Sequence, residues 1–533
     1  MDSQSHNDRL DHVEGGFFSR EAVGSVPWVI LGKAVLFFVY FGISMLTVNG
    51  LGKEKFGVYS LMTNISAYLV VLSSLGLGAA LMRYVPELAA RKNRRGLLHL
   101  MWKSAILQLF AVLGVSFIIL KFSDPLQKLF HAEHVEHFDF YLKLACGLSL
   151  LLLLKDFVGT VFTSIYKTRT VAILSMIYGS SWLILLYVWL HYKPEIGSVF
   201  FVQMLSIGLI YIFGAVLLFR YVYGLSWTTD EFGIGRKRTL AFSSTVMLST
   251  ILRMVMFKYS EIFFIAAVMG ATEAGVYDLG YTLPYTVITF LPLALLPVFT
   301  SAFAEAYVRD HNCLGLLISS YYKVLMLVSL PIGILGAFFA PAAYRILYQD
   351  QMSEAGELAS AFCVVLLLPL ISMPLSAAIK AKEKVLHMVP MLILQIVVNL
   401  FLDWVLIVHF RMGVWGGIYA VAGTFVLTIP FRLWVVRNVL GGIYFPLGFF
   451  LRITVVLTVL SFLLMQLSGR IELFHMFENQ WINIGLLFFI GALFFVLFML
   501  GVRYLGLIRK EDVKDFEALD IPKLNRVIRY LVK

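Results

Sequence analysis

Long runs of apolar residues, broken by short polar segments, repeat along almost the whole chain. The runs are continuous rather than alternating, and most exceed the roughly 20 residues that a helix needs to cross a bilayer. Read between the polar breaks, they predict spans near 24–48, 57–82, 98–120, 138–164, 170–191 and 197–221. A second set follows near 239–268, 274–303, 315–341, 355–379, 387–409 and 413–438, and two more lie near 447–467 and 481–505. In lipid every backbone polar group must be satisfied internally, so continuous apolar runs imply helices. The expected fold is an all-α polytopic membrane protein of about 14 spans.

Composition supports that solvent. Of 533 residues, 60% are hydrophobic and only 14% charged, with a mean hydropathy of +0.86. The net charge of +11 does not indicate a nucleic-acid partner, because the basic residues are scattered at span ends. Clusters such as Arg91-Lys92-Asn93-Arg94-Arg95, Lys167 with Arg169, Arg236-Lys237-Arg238 and Lys380, Lys382, Lys384 fall in alternate loops. The basic tail after Gly506 joins the same side. Lys and Arg mark the cytoplasmic face, so both termini are expected inside. The polar, acidic stretch before the first span has no basic leader of the secretory type. Three isolated cysteines, Cys146, Cys313 and Cys363, form neither a disulfide framework nor a metal spacing. No cofactor motif is present, and none is expected.

The chain also repeats itself. Leu51-Gly52 followed by Gly57-Val58-Tyr59-Ser60-Leu61 matches Met269-Gly270 followed by Gly275-Val276-Tyr277-Asp278-Leu279, at an offset of 218 residues. Both turns join an odd span to an even one, six spans apart. Parallel repeats about an axis along the membrane normal are a transporter plan, with the substrate site between halves. The expected layout is a tail over 1–23, a first lobe over 24–222 and a second over 239–440. Two extra helices over 447–505 and an amphipathic cytoplasmic tail over 506–533 complete it.

These turns, with Ser74-Leu75-Gly76-Leu77-Gly78, Arg83, and Asn399-Leu400-Phe401-Leu402-Asp403-Trp404 before Gly413, Gly416, Gly417 and Ala420, resemble polysaccharide-transport flippases. That family belongs to the multidrug/oligosaccharidyl-lipid/polysaccharide exporter superfamily. The likeness runs from about residue 20 to 440. It implies a two-lobed, V-shaped bundle that moves lipid-linked oligosaccharide outward by alternating access. It also implies membrane lipids and polysaccharide-biosynthesis proteins as partners.

Ionisable residues inside spans are costly and mark candidate sites. Arg253 lies about 21 Å into the seventh span at 1.5 Å per residue, with no partner at i±3 or i±4. Lys258 and Glu261 share a face further along and either neutralise each other or meet substrate. Lys33 occupies the repeat-equivalent first span, within snorkelling reach of its inner end. Two cations in equivalent helices suit a pyrophosphate. Asp278 and the stripe Tyr277, Tyr281, Tyr285 are candidates for sugar contact, the alternatives being solvation and packing. Asp156 beside Lys155, and the i, i+4 pair Asn399 and Asp403, are candidates for ion coupling or cavity lining. An antiporter of cations or drugs is the alternative cargo. A membrane glycosyltransferase or polymerase fits less well, because the outer loops are short and His131, His134 and His137 are too loosely spaced for a metal.

Overall fold

Polar and glycine-rich breaks divide the apolar runs of this computed structural model, which describes residues 17–90, 93–133, 135–165, 167–224, 260–309, 311–348, 351–382, 384–468, 480–509, 512–513 and a few positions between 244 and 252. The described residues are helical, with no strand. The first helix, α1 (Phe17–Ser74), leaves helical geometry at Gly52 (φ 75°, ψ 170°). Its apolar stretch Gly32–Ser74 is 43 residues long, about 65 Å at the helical rise, so the break divides it into two spans. Next come α2 (Leu77–Ala90), α3 (Arg94–Lys121) and the short α4 (Ser123–Leu129). Three long helices follow: α5 (Phe138–Ser164), α6 (Thr168–Tyr192) and α7 (Ile196–Gly224). Asn93 caps α3 by accepting a hydrogen bond from the Gly96 amide at 2.7 Å.

After the few helical positions described between 244 and 252 come α8 (Ser260–Met269), α9 (Ala271–Arg309), α10 (His311–Tyr348), α11 (Ser353–Val365) and α12 (Met373–Ala381). Then follow α13 (Val389–Asp403), α14 (Gly413–Leu440), α15 (Leu447–Ser468) and α16 (Gln480–Tyr504). Among the described residues ten helices are long and apolar enough to cross a membrane, and Ser260–Met269 and Leu447–Leu463 are shorter apolar segments. The protein is an all-α polytopic membrane protein.

Among the described residues, three expected spans are interrupted. The run 57–82 stops at Ser74, where Leu75 (φ 49°) and Gly76 (φ 66°) are left-handed. The run 355–379 breaks between α11 and α12, with a 3-10 turn at Pro369–Ser372. Pro369 and Pro374 each sit at the start of a helical turn, where a missing N–H costs nothing. In the run 387–409 the helix passes from α geometry into a π-helical turn at Trp404–His409, directly after Asp403.

Two compact units are present. One comprises Met1–Leu51, Met62–Lys128 and Ala132–Ile251; the other comprises Gly52–Leu61, Leu129–His131 and Leu252–Lys533. In the first, α5, α6 and α7 pack on one another and α5 also meets α2 and α3. Val158, Phe200, Ile207 and Tyr211 lie in that core. In the second, α10, α11 and α9 form the densest packing, and α15 and α16 lean on α10.

The two matching turns meet inside the second unit. A Cβ on Gly275 would lie 2.5 Å from the Gly57 Cα, and one on Gly57 would lie 2.6 Å from the Ala271 carbonyl oxygen. Only hydrogen at both positions permits that approach. Three residues further on, Ser60 Oγ donates to Asp278 Oδ2 at 2.5 Å. Lys53 closes the same region by pairing with Glu354 at 2.8 Å and Glu273 at 3.6 Å.

Candidate functional site: a buried carboxyl pair

In the second unit, α8, α9 and α13 bring polar side chains together in a fully apolar setting. Glu261 stands in the first turn of α8, and Asn399 and Asp403 lie one turn apart on α13. All three are 0% exposed. Asn399 Nδ2 donates to Glu261 Oε1 at 3.0 Å. Ser260 Oγ lies 3.1 Å from Asn399 Oδ1 and 3.2 Å from Glu261 Oε2, and so bridges the two. Tyr277, on α9, is within electrostatic reach of both carboxyl groups.

Asp403 differs from its neighbours. No hydrogen bond from a described residue satisfies either Asp403 oxygen or the Tyr277 hydroxyl. Glu261 and Asp403 repel each other when both are ionised. Two carboxylates buried this close cannot both carry charge without a compensating cation or a shared proton. The donors are all oxygen: two carboxyls, an amide carbonyl and hydroxyls. Such a set suits a proton or a hard cation rather than a soft metal.

The local sequence explains the convergence. Asn399 and Asp403 share a face because they are four residues apart. Gly417 on α14 faces Tyr277; a Cβ there would lie 2.8 Å from the ring. The absent side chain leaves room for the ring against α14. Tyr277 and Tyr281 both pack edge-on to Phe362, with centroids 5.3 and 5.1 Å away, and Tyr281 stacks on Tyr285.

Of the remaining candidates, Asp278 and Tyr281 stand beside Tyr277 on α9. Asp278 is half-buried and accepts from Ser60 and, at 3.0 Å, from Thr282. Tyr281 is 3% exposed. Lys33 and Asp156 belong to the first unit, where both are exposed. Arg253 and Lys258 lie outside the described residues. One buried ion cluster escaped the sequence reading. Lys323 of α10, with its side chain 5% exposed, pairs with Asp512 at 2.8 Å, and Arg452 of α15 pairs with the same carboxylate at 3.0 Å. A lysine that deep in an apolar run was itself the overlooked signal.

Comparison with solved structures finds the same architecture. The chain is similar to the lipid II flippase MurJ in its inward closed conformation, with a TM-score of 0.67 and 14% identity. That match covers 90% of this chain and 100% of MurJ. It is also similar to a multidrug resistance MATE family transporter in its inward-facing conformation (TM-score 0.59, 18% identity, 76% of this chain and 94% of that one). A MOP superfamily transporter from Pyrococcus furiosus gives a TM-score of 0.54 at 18% identity, covering 80% and 97%. Among curated proteins, none matches by sequence. The family model for polysaccharide biosynthesis proteins matches residues 23–303, more than half of the chain and both repeated turns. The chain therefore belongs to the polysaccharide biosynthesis protein family.

Proposed function

We propose that the protein is a flippase moving polyprenyl-pyrophosphate-linked oligosaccharide from the inner to the outer leaflet of the cytoplasmic membrane, with both termini cytoplasmic. The observation that carries this reading is the family match across both repeat turns. Lys33 and Arg253 supply the cations for the pyrophosphate, and the two lobes alternate in opening the site to either side. Outward movement of an anion is favoured by an inside-negative potential, at about 2.3 kcal/mol per charge per 100 mV. The Glu261–Asp403 pair, with Asn399 and Ser260, provides the ion-coupling element: loading with a proton or a cation removes its internal repulsion and biases the second lobe.

A second reading, an antiporter of organic cations, is favoured by the likeness to MATE structures. One experiment separates the two. In cells depleted of the chain, lipid-linked sugar should become inaccessible to an impermeant reagent at the outer face. Wild type should restore access, and Arg253→Ala should not. Unchanged access on depletion, with altered efflux of organic cations, would establish the antiporter instead.

A further inference from the structure

The first unit contains a pocket that the coupling site does not use. Between α2, α3, α5, α6 and α7 lies a cavity of about 470 Å³, within the range of roughly 300–1,000 Å³ typical of small-molecule sites. Its walls are mostly apolar, with Asp156, Lys155, Gln108, Ser175 and Tyr211 set among them. Every lining residue belongs to the same compact unit.

Asp156 is exposed into this space. Its carboxylate makes no hydrogen bond or ion pair with a described residue, and Lys155 is the charge that acts on it. Lys155 does not close on it: its ammonium lies over the Tyr178 ring, 5.4 Å from the centroid. Successive residues on a helix point about 100° apart, so the two charges border the cavity without cancelling. Ser175 Oγ and Tyr211 Oη hydrogen-bond at 3.3 Å. Gln108 donates to the Ser74 carbonyl at 3.2 Å, which leaves its own carbonyl oxygen to accept.

This arrangement selects by charge. Lys155 repels an organic cation that Asp156 would attract, and Asp156 repels an anion that Lys155 would attract. A neutral ligand with many hydroxyls meets neither penalty: it donates to Asp156 and Gln108 and accepts from Lys155 and the hydroxyl pair. A sugar ring has such polar edges, and its C–H faces match the apolar walls. We infer that the first-unit cavity is a binding site for neutral sugar rings, with Asp156 as its principal acceptor. The identity of the sugars as the headgroup of the transported lipid rests on the flippase reading; their binding here does not.

The test uses the purified full chain in lipid nanodiscs. Ala79 lines the cavity, and an Ala79→Cys chain would be labelled with N-ethylmaleimide, with the parent chain as the blank. Lactose and N,N′-diacetylchitobiose are the neutral probes, choline the cation and pyrophosphate the anion. At saturation a neutral disaccharide should slow labelling about tenfold, whereas choline and pyrophosphate should not. Asp156→Asn should raise the sugar concentration needed by about tenfold, corresponding to about 1.4 kcal/mol. Protection by neither disaccharide, stronger protection by choline, or undiminished protection in Asp156→Asn would each overturn the assignment. Failure of the flippase reading would appear separately, as unchanged outer-face access on depletion, with the disaccharide protection intact.

Discussion

Asp512, eight residues beyond the end of α16, lies 2.8 Å from the ammonium of Lys323 on α10. Its other oxygen accepts from Arg452 at 3.0 Å and from the Arg509 amide at 2.8 Å. One carboxylate thus ties the segment after the last span to α10 and α15. Asp512→Ala leaves both cations facing a buried site and should cost about 3–5 kcal/mol. Thermal unfolding in detergent should show the loss, and Lys323→Met with Asp512→Leu should recover part of it. Truncation at Gly506 should lower yield for the same reason. A double variant no more stable than Asp512→Ala would show that the pair is not the source.

The same carboxylate predicts a pH dependence. Burial pushes the Asp512 carboxyl up, but hydrogen bonds from Lys323 and Arg509 and the charges of Lys323 and Arg452 pull it further down, below the usual range. A folded-state value lower than the unfolded one, about 3.9, means that ionised Asp512 stabilises the fold. Its contribution is present above that unfolded value and is lost as pH falls through the folded one. The difference in melting temperature between wild type and Asp512→Asn should therefore be constant near neutrality and shrink at low pH. A difference that grows on acidification would reverse the sign.

Neutralising either member of the buried carboxyl pair should uncouple transport without unfolding the protein. Asp403→Asn and Glu261→Gln each remove the mutual repulsion, so stability should hold or rise. Transport per molecule in proteoliposomes should fall about tenfold or more and lose its dependence on proton or sodium gradients. Wild-type gradient dependence in both variants would remove this pair from coupling.

The repeat turn is expected to be intolerant of even one methyl group. Gly275→Ala places a Cβ 2.5 Å from the Gly57 backbone, which cannot yield as a side chain would. Overpacking of this kind costs about 1–3 kcal/mol, read as a lower melting temperature. Ser60→Ala at the adjacent hydrogen bond should cost less. Equal melting temperatures for Gly275→Ala and wild type would refute the close approach.

Orientation is testable by labelling. Cysteine at Lys193 should react with an impermeant thiol reagent added outside intact cells, and cysteine at Lys384 should not. The inverse pattern would place both termini outside.

The helical membrane architecture was legible in the sequence because continuous apolar length reports it directly. Glu261, Asn399 and Asp403 were legible individually, since a polar group in an apolar run stands out. Their convergence was not: Glu261 and Asn399 are 138 residues apart, and nothing local encodes a contact between α8 and α13. Tyr277 read as one step of an aromatic stripe, although it lies beside both carboxyls. The tail read as an amphipathic surface segment from its periodicity, and periodicity cannot show that Asp512 is drawn into a charge cluster with a lysine far upstream. The π-helical turn at Trp404–His409 carries no proline or glycine and so left no mark.

The contact between the two repeated turns has a symmetry that the rest of the chain obscures. Gly57 touches Gly275, and Ser60 bonds Asp278; each residue meets its own counterpart. In a two-fold assembly of identical subunits, only residues on the axis meet their own copies. Within the second unit these four positions therefore behave locally as such self-facing positions. A residue on such an axis must be compatible with itself, and glycine is. Serine facing aspartate shows what covalent fusion allows: once the halves are no longer identical, one can supply the donor and the other the acceptor, where two aspartates would repel.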